Sequence, residues 1–236
     1  KISDGCPFHC TYCCVPRVYG RFRPRRLELA FSEVGLLADM NVRNIAFYDD
    51  ALLCDAENVL LPFLQKILQR DIAINFHCPN ALNARLLRPQ IARIMVKAGF
   101  KTFYLGFESA SRKWQKKTGS KVFSEELASA VENLVSAGAD PASITAYQIL
   151  GHPDCNLQQL EKSMRFVNSL GIRGMLADFA PVPGTPDGEK CRQWIYLDEP
   201  LMHNKTAFPI IRLGFEKTNR LKNLQRRLNS RTGKSI

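Results

Sequence analysis

The sequence predicts an α/β fold in which parallel strands alternate with helices along most of the chain. Three observations support this prediction. Short runs rich in β-branched and aromatic residues alternate with segments of helical periodicity. Each strand–helix unit is about thirty residues long, which suits a right-handed crossover between parallel strands. Polar residues follow successive strands, as expected where the carboxyl ends of parallel strands form one rim.

Five strands are predicted from apolar runs, at residues 44–48, 72–76, 102–106, 144–150 and 175–180. The runs lack strict alternation, which predicts strands covered on both faces. A sixth strand is expected before them, with only residues 1–4 remaining, because the chain opens with a lysine and runs at once into a motif. The natural amino terminus is therefore expected upstream. These strands suit a barrel, a partial barrel or an open doubly wound sheet.

Amphipathic helices are predicted between the strands, around residues 60–67, 127–135 and 160–167. Ser124 and Asn156 are predicted N-caps, and Pro89 is predicted in a first helical turn. Glycines stand where helices are expected to end, at Gly99, Gly138 and Gly171.

The residues that follow the strands form the candidate rim. In chain order these are Asp49 and Asp50, then His77 and Cys78, then Glu108 and Ser109, then Gly151 and His152, and finally the segment PVPGTP at residues 181–186. Carboxylates, a hydroxyl and flexible turns at one rim predict a binding or catalytic face.

The positive charge is concentrated in two segments. The formal net charge is +11, of which residues 17–26 carry +5 and residues 211–236 carry +7. Such segments suit phosphate or nucleic acid, and equally a solvated surface. Residues 187–236 lose the alternation and are predicted to be a basic helical extension after a core domain of residues 1–186. A hydrophobic content of 45% argues against wholesale disorder, and no apolar run reaches the ~18 residues of a membrane span.

Four of the eight cysteines lie within residues 6–14. Cys6, Cys10 and Cys13 follow the pattern C-x3-C-x2-C, and Cys14 is an additional neighbour. A disulfide scaffold would not gather four cysteines in one loop of a long chain, so a metal centre and a reducing, cytoplasmic compartment are expected. Thiolates select zinc, copper(I) or iron–sulfur clusters. Three ligands on a four-iron cluster would leave one iron open to a substrate or cofactor.

The cysteine loop, with Tyr12 before its third cysteine, resembles that of the radical S-adenosylmethionine (SAM) superfamily. The segments GCPFHCTYC, FYDDALL, LGFES and PVPGTP, and the Gly-x-Pro turn at Gly151, fall where that superfamily places such segments. The resemblance covers about residues 1–186 and is strongest to members that often carry an upstream cobalamin-binding domain. It implies a partial (β/α)6 TIM-like barrel with a short C-terminal helical extension. It also implies a [4Fe–4S] cluster and SAM as cofactors, with cobalamin only through a domain outside this chain.

The resemblance implies three cluster ligands and six contacts to SAM. The ligands are Cys6, Cys10 and Cys13. The contacts are Tyr12 and Gly151 with the adenine, Asp49 and Asp50 with the amino group, and Glu108 and Ser109 with the ribose. An electron from the cluster would cleave SAM to a 5′-deoxyadenosyl radical that acts on an unknown substrate. The turn after the fifth of these six strands departs from the family pattern: it is Gly-His-Pro-Asp-Cys instead of Gly-Leu-Pro-Gly-Glu.

Two other functions stay open from the sequence. One is a metal-stabilised nucleic-acid-binding module, with zinc in the cysteine loop and the basic segments on phosphates. The other is a radical SAM methylthiotransferase that modifies tRNA. A low-potential electron donor such as flavodoxin or ferredoxin is the expected partner, and no membrane is expected. The remaining strand-end cysteines, Cys54, Cys78 and Cys155, are expected to be small buried hydrophobes, with a second metal site as the alternative.

Overall fold

The computed structural model describes residues 1–230 and 232. In this part of the chain two sheets form. The strands of the small antiparallel sheet are β1 (Ser3–Asp4) and β2 (Arg23–Pro24). The strands of the parallel sheet are β3 (Asn44–Ala46), β4 (Asn75–Asn83), β5 (Phe100–Glu108), β6 (Ile144–Leu150) and β7 (Arg173–Asp178). The parallel strands lie in sequence order without a reversal, as in a partial TIM-like barrel and unlike a doubly wound sheet.

Helices connect the strands and follow the last one. They are α1 (Val15–Val18), α2 (Leu27–Asp39), α3 (Leu60–Gln69), α4 (Pro89–Lys97), α5 (Arg112–Lys117), α6 (Ser124–Ser136), α7 (Leu157–Ser169), α8 (Pro186–Glu189), α9 (Ala207–Leu213) and α10 (Phe215–Asn229). Among the described residues, no helix has the length and apolar character needed to cross a membrane.

The predicted caps are confirmed in part. The Asn156 side chain accepts a hydrogen bond from the Gln159 N–H at 3.1 Å, and Pro89 opens α4. Ser124 is the first residue of α6 and not its N-cap. The helix starts this way because the carboxylate of Glu126 reaches back to accept from the Phe123 N–H at 2.7 Å.

One face of the parallel sheet carries the main hydrophobic core. Buried side chains such as Phe76, Phe103 and Leu105 pack there under the helices. The prediction of strands covered on both faces is confirmed for β6, whose residues are all buried or half-buried. It is wrong for the edge strand β7, where Arg173 and Met175 are exposed. The sheet does not close within the described residues, so the edge strand lacks a neighbour on one side.

Of the five predicted parallel strands, only the one at residues 144–150 has the predicted bounds at both ends, and two segments differ most from the prediction. Residues 1–4, expected as the remnant of a sixth parallel strand, pair antiparallel with β2 through Ser3 and Asp4. The strand predicted at residues 72–76 begins only at Asn75. The apolar residues 72–74 belong instead to the turn out of α3, where Asp71 adopts a left-handed backbone (φ 50°).

Helix α10 lies along the free edge of β7. The Asn229 side chain accepts from the Gly174 N–H at 3.0 Å and donates to the Gly174 carbonyl at 2.9 Å. Lys222 pairs with Asp178 at 2.7 Å, and Leu221 packs against the buried side chains of α7. A side-chain amide thus satisfies backbone groups that a further strand would otherwise pair. Of the predicted extension, residues 231 and 233–236 lie outside the described residues.

Candidate functional site

The cysteine loop connects β1 to the short helix α1. Gly5 begins the loop with φ +75°, and a Cβ there would lie 2.4 Å from the Arg21 carbonyl oxygen, so only glycine fits. A turn closes between the Cys13 N–H and the Cys10 carbonyl at 3.1 Å. The loop also packs on residues 118–121: the Thr11 N–H donates to the Thr118 carbonyl, and a Cβ at Gly119 would lie 3.2 Å from the Cys10 Cα.

The three predicted ligand thiols lie together and interact electrostatically. Burial raises the pKa of Cys6, Cys10 and Cys13, and the charge of a neighbouring cysteine of the set raises the pKa of each one further. The ammonium of Lys121 acts in the opposite direction and lowers the pKa of all three. Three close, partly desolvated thiolates repel one another, and a cationic metal centre would remove that repulsion.

The donor set of the loop suits an iron–sulfur cluster. Across residues 1–230 and 232, no three His, Cys, Asp or Glu side chains stand close enough to hold one metal ion. In a cubane cluster each thiolate binds a different iron, so the ligands need not converge on one point. Three partly buried cysteines in C-x3-C-x2-C spacing are of the ligand type that such a cluster takes.

Tyr12 is part of the cysteine loop, and its ring packs against side chains of the barrel. Its ring stacks on Trp114 at 6.0 Å between centroids and 19° between planes. It also meets the edge of His152 at 6.3 Å. Burial first, and then the charge of Glu108, raise the pKa of the Tyr12 phenol well above its ordinary value, so the ring stays neutral.

Asp49 and Asp50 lie together after β3 but have different partners. Asp49 is 3% exposed, and its Oδ1 accepts from the backbone N–H groups of Ile2 at 2.9 Å and Ser3 at 2.6 Å, and from the Ser3 hydroxyl at 2.8 Å. Asp50 Oδ2 lies 3.5 Å from Lys1 Nζ. Among the described residues, the second oxygen of Asp49 is buried without a hydrogen-bond partner. One of the two predicted amino-group contacts therefore also anchors the amino-terminal strand.

Glu108 ends β5 in a left-handed backbone (φ 68°), at a register shift against β6. Burial raises the pKa of its carboxyl, and the charge of Lys121 partly offsets this. The Lys121 Nζ lies 3.1 Å from the point where a Cβ on Gly106 would stand, which places it beside the inner face. Ser109 uses its hydroxyl to accept from the Ser111 N–H at 3.1 Å.

Gly151, after β6, packs against the helix α9. It has φ +89°, and a Cβ would lie 2.9–3.0 Å from atoms of Pro209 in α9. The packing of α9 is thus sufficient to require a glycine at this position.

Of the scattered cysteines, Cys78 is buried as expected, and burial raises its pKa, whereas Cys54 and Cys155 are only partly buried.

A cavity of about 370 Å³ opens at the carboxyl ends of the strands. Aromatic and small apolar side chains line it, together with three polar ones; the lining residues are Tyr12, Pro79, Asn80, Ala81, Glu108, Tyr147, Ile149, Ala177, Asp178, Phe179 and Ala180. Two predicted site residues, Tyr12 and Glu108, therefore share one cavity. A cavity of this size with few polar groups is typical of a cofactor or small-molecule site.

The sequence did not identify two residues of this region. Lys121 lies in the loop between α5 and α6, shortly after several other lysines, and nothing in the local sequence marks its position beside the thiols. The role of Trp114, which stacks on Tyr12, likewise depends on a contact between residues more than one hundred positions apart.

A singly wound parallel sheet with a thiol loop and a cavity at its carboxyl rim defines a cofactor-dependent barrel enzyme. The family model described as "Radical SAM superfamily" matches residues 1–167, and the chain belongs to this superfamily. Members of this superfamily use a [4Fe–4S] cluster and SAM as cofactors, and they need a reductant. Membership of this superfamily favours an iron–sulfur cluster over zinc in the cysteine loop and argues against the zinc-stabilised nucleic-acid-binding module. It does not distinguish a tRNA methylthiotransferase from other radical SAM enzymes.

Relatives agree with this assignment. The chain is 26% identical over 197 residues to "Uncharacterized methyltransferase PH0819" of Pyrococcus horikoshii, covering 82% of this chain and 40% of that protein. It is 25% identical over 201 residues to a tRNA-2-methylthio-N(6)-dimethylallyladenosine synthase of Ehrlichia chaffeensis, covering 80% and 44%. The chain thus spans about two fifths of the length of these relatives.

Solved structures confirm the fold. The radical SAM methyltransferase TsrM from Kitasatospora setae, with cobalamin and a [4Fe–4S] cluster bound, superposes with a TM-score of 0.70 at 16% identity, over 81% of this chain and 36% of that one. The cobalamin-dependent enzyme OxsB superposes with a TM-score of 0.62 at 14% identity, over 96% and 35%. At these identities the likeness concerns the fold.

Proposed function

We propose that Cys6, Cys10 and Cys13 hold the [4Fe–4S] cluster of this enzyme and that SAM occupies the adjoining cavity. The observation that carries this proposal is the group of three partly buried thiols whose charges act on one another and on which Lys121 acts in turn. When bound, the cluster supplies the electron that cleaves SAM, and the 5′-deoxyadenosyl radical so released abstracts hydrogen from the substrate.

The charged residues around the cavity match the zwitterionic end of SAM. The unpartnered Oδ2 of Asp49, together with Asp50, would accept hydrogen bonds from its ammonium group. Lys121, whose charge acts on all three thiols, would pair with its carboxylate. Carboxylates and an ammonium near the same thiols would bind the two oppositely charged groups of the amino acid end.

The nucleoside end would lie against the neutral part of the cavity. Tyr12, held in place by Trp114, would lie beside the adenine, and the backbone at Gly151 would approach the same ring. Glu108 and Ser109 would bind the ribose hydroxyls, with the buried carboxyl of Glu108 accepting a hydrogen bond. The largely apolar lining would present few polar groups to the radical.

Partner and location are inferred from chemistry. The reductant would be a small low-potential carrier such as flavodoxin or ferredoxin. The eight free cysteines suit a reducing, cytoplasmic compartment. Both named structural neighbours are cobalamin proteins, so a part of the protein outside this chain would supply cobalamin if this enzyme transfers a methyl group.

Anaerobic reconstitution with iron and sulfide tests the proposal. The parent protein is expected to show the electron paramagnetic resonance (EPR) signal of a reduced four-iron cluster and to release 5′-deoxyadenosine from SAM. Cys10→Ser is expected to lose both signals. Cys14→Ser is the matched control, because Cys14 lies beside the loop outside the C-x3-C-x2-C pattern, and it should keep both. Equal loss in the two variants, or no cluster in the parent, would refute the assignment.

A further inference from the structure

A buried polar network joins three segments behind the cysteine loop. His152 and Asp187 are each 1% exposed, and His152 Nε2 lies 2.9 Å from Asp187 Oδ2. His152 belongs to the turn after β6, and Asp187 belongs to α8, after β7. The turn is the one whose sequence departs from the family pattern, and two of its departures, His152 and Asp154, are members of the network.

The protonation of His152 follows from its neighbours. Its Nδ1 accepts from the Trp114 indole N–H at 3.4 Å and from the Asp154 backbone N–H at 3.1 Å. Because both of these groups are donors, Nδ1 is the accepting nitrogen in this arrangement, which assigns the donating hydrogen of the ring to Nε2. His152 therefore donates this hydrogen to Asp187, and its orientation is fixed from both sides.

Asp187 also binds the cysteine loop directly. Its carboxylate Oδ2 accepts from the Thr11 hydroxyl, and its backbone N–H donates to the Thr11 carbonyl at 3.1 Å. Its Oδ1 lies 2.7 Å from the Lys190 ammonium, which in turn reaches Asp154 at 3.0 Å. Burial alone would raise the pKa of Asp187, but the hydrogen bonds from His152, Lys190 and Thr11 outweigh it and hold the pKa well below its usual range.

The network lies directly behind the ring that faces the cavity. Thr11 lies between Cys10 and Tyr12, and the Tyr12 ring contacts both Trp114 and His152. Any movement of Asp187 would therefore shift the loop at the residues between the second and third cysteines. Two hydrogen bonds to a single loop residue fix both its backbone and its side chain.

We propose that Asp187 is a positioning residue, which with His152 and Thr11 latches the cysteine loop in the geometry that the cluster and SAM require. The inference rests on the proposed function of that loop. Asparagine at this position would keep the size of the side chain but replace one acceptor oxygen with a donor. Since donors approach both oxygens, at least one buried donor would then face another donor.

Hydrogen–deuterium exchange of the metal-free protein tests the latch without any activity. Asp187→Asn is expected to speed exchange of the amides of residues 11–13 by about tenfold to hundredfold, the loss expected for a hydrogen bond to a buried charged group. Asp198→Asn is the matched control in the same segment, because Asp198 forms an exposed pair with Arg192 at 2.9 Å. The control should leave these amides at parental rates.

A second variant tests whether the effect passes through Thr11. Thr11→Val removes the hydroxyl donor, and the double variant with Asp187→Asn should exchange no faster at residues 11–13 than Asp187→Asn alone. In the reconstituted protein, Asp187→Asn is expected to change the line shape of the cluster EPR signal measured without SAM, and Asp198→Asn is expected to preserve it. A general loss of stability would not produce this local pattern.

Different results would overturn the latch and the proposed cluster-binding function. Unchanged exchange at residues 11–13 in Asp187→Asn, or an equal rise at every amide, would overturn the latch. A parent protein that takes up no cluster would overturn the proposed function, and the exchange experiment on the metal-free chain would still report on the latch.

Discussion

Replacement of Asp49 by asparagine tests how the amino-terminal strand is attached to the sheet. One oxygen of Asp49 accepts three hydrogen bonds, two from backbone N–H groups and one from the Ser3 hydroxyl, all in a buried position. A hydrogen bond to a charged group contributes about 1.5–3 kcal/mol, and one between neutral groups about 0.5–1.5 kcal/mol. Loss of the charge therefore weakens each bond by about 1 kcal/mol, and the three together by about 3 kcal/mol.

For a chain of 236 residues, this loss corresponds to a fall in Tm of about 6–12 °C. Calorimetry of the metal-free protein measures it. Asp50→Asn is the control, since Asp50 forms a partly exposed pair with Lys1 at 3.5 Å, and such a pair contributes about 1 kcal/mol or less. If Asp49→Asn melts within about 2 °C of the parent, the three bonds do not hold the strand and the reasoning fails.

Three further predictions concern the surroundings of the site. Gly119→Ala should lower the unfolding free energy by about 2 kcal/mol and reduce iron uptake, because its Cβ would press on the Cys10 backbone. The pKa of Asp187 is lowered in the folded protein, so its ionised carboxylate stabilises the fold fully above about pH 4 and less as the pH drops further. The difference in unfolding free energy between the parent and Asp187→Asn, measured by urea titration, should therefore shrink below that pH. Asn229→Ala should cost about 1–3 kcal/mol and promote self-association, measured by light scattering, because two backbone groups of β7 lose their partner.

Each of these has a control within the chain. Gly138 has φ +95° with no atom near its Cβ position, so Gly138→Ala carries the backbone strain alone; equal iron uptake in both alanine variants would exclude the contact. A pH-independent difference for Asp187→Asn would show that its charge is not stabilising. For Asn229→Ala the control is Asn223→Ala on the same helix, which should leave the light scattering at the parental level.

The alternation of strands and helices was predictable because buried apolar runs and helix caps are local signals. The strand at residues 144–150 is placed without error, since a β-branched run follows an Asp-Pro turn. The strand at residues 72–76 is misplaced because Ile74 is buried by a turn and not by a sheet. Burial in itself does not report the backbone conformation that produces it.

Site residues were predictable from the sequence only where they belong to a recognisable motif. The cysteine loop and Glu108 follow strand ends in a recognisable pattern. The attachment of Ser3 to Asp49 and of Thr11 to Asp187 joins residues 46 and 176 positions apart, and such contacts leave no trace in local periodicity. Lys121 is likewise indistinguishable by sequence from the other lysines of its basic run.

The division between the two faces of the parallel sheet affects how this scaffold can change over evolutionary time. Folding depends on the phenylalanines and leucines beneath the helices, whereas the tyrosines and polar groups of the inner face contribute little to that core. Inner positions can therefore accept substitutions at small thermodynamic cost. The same fold can therefore acquire different substrate specificities through substitutions of side chains that folding does not require.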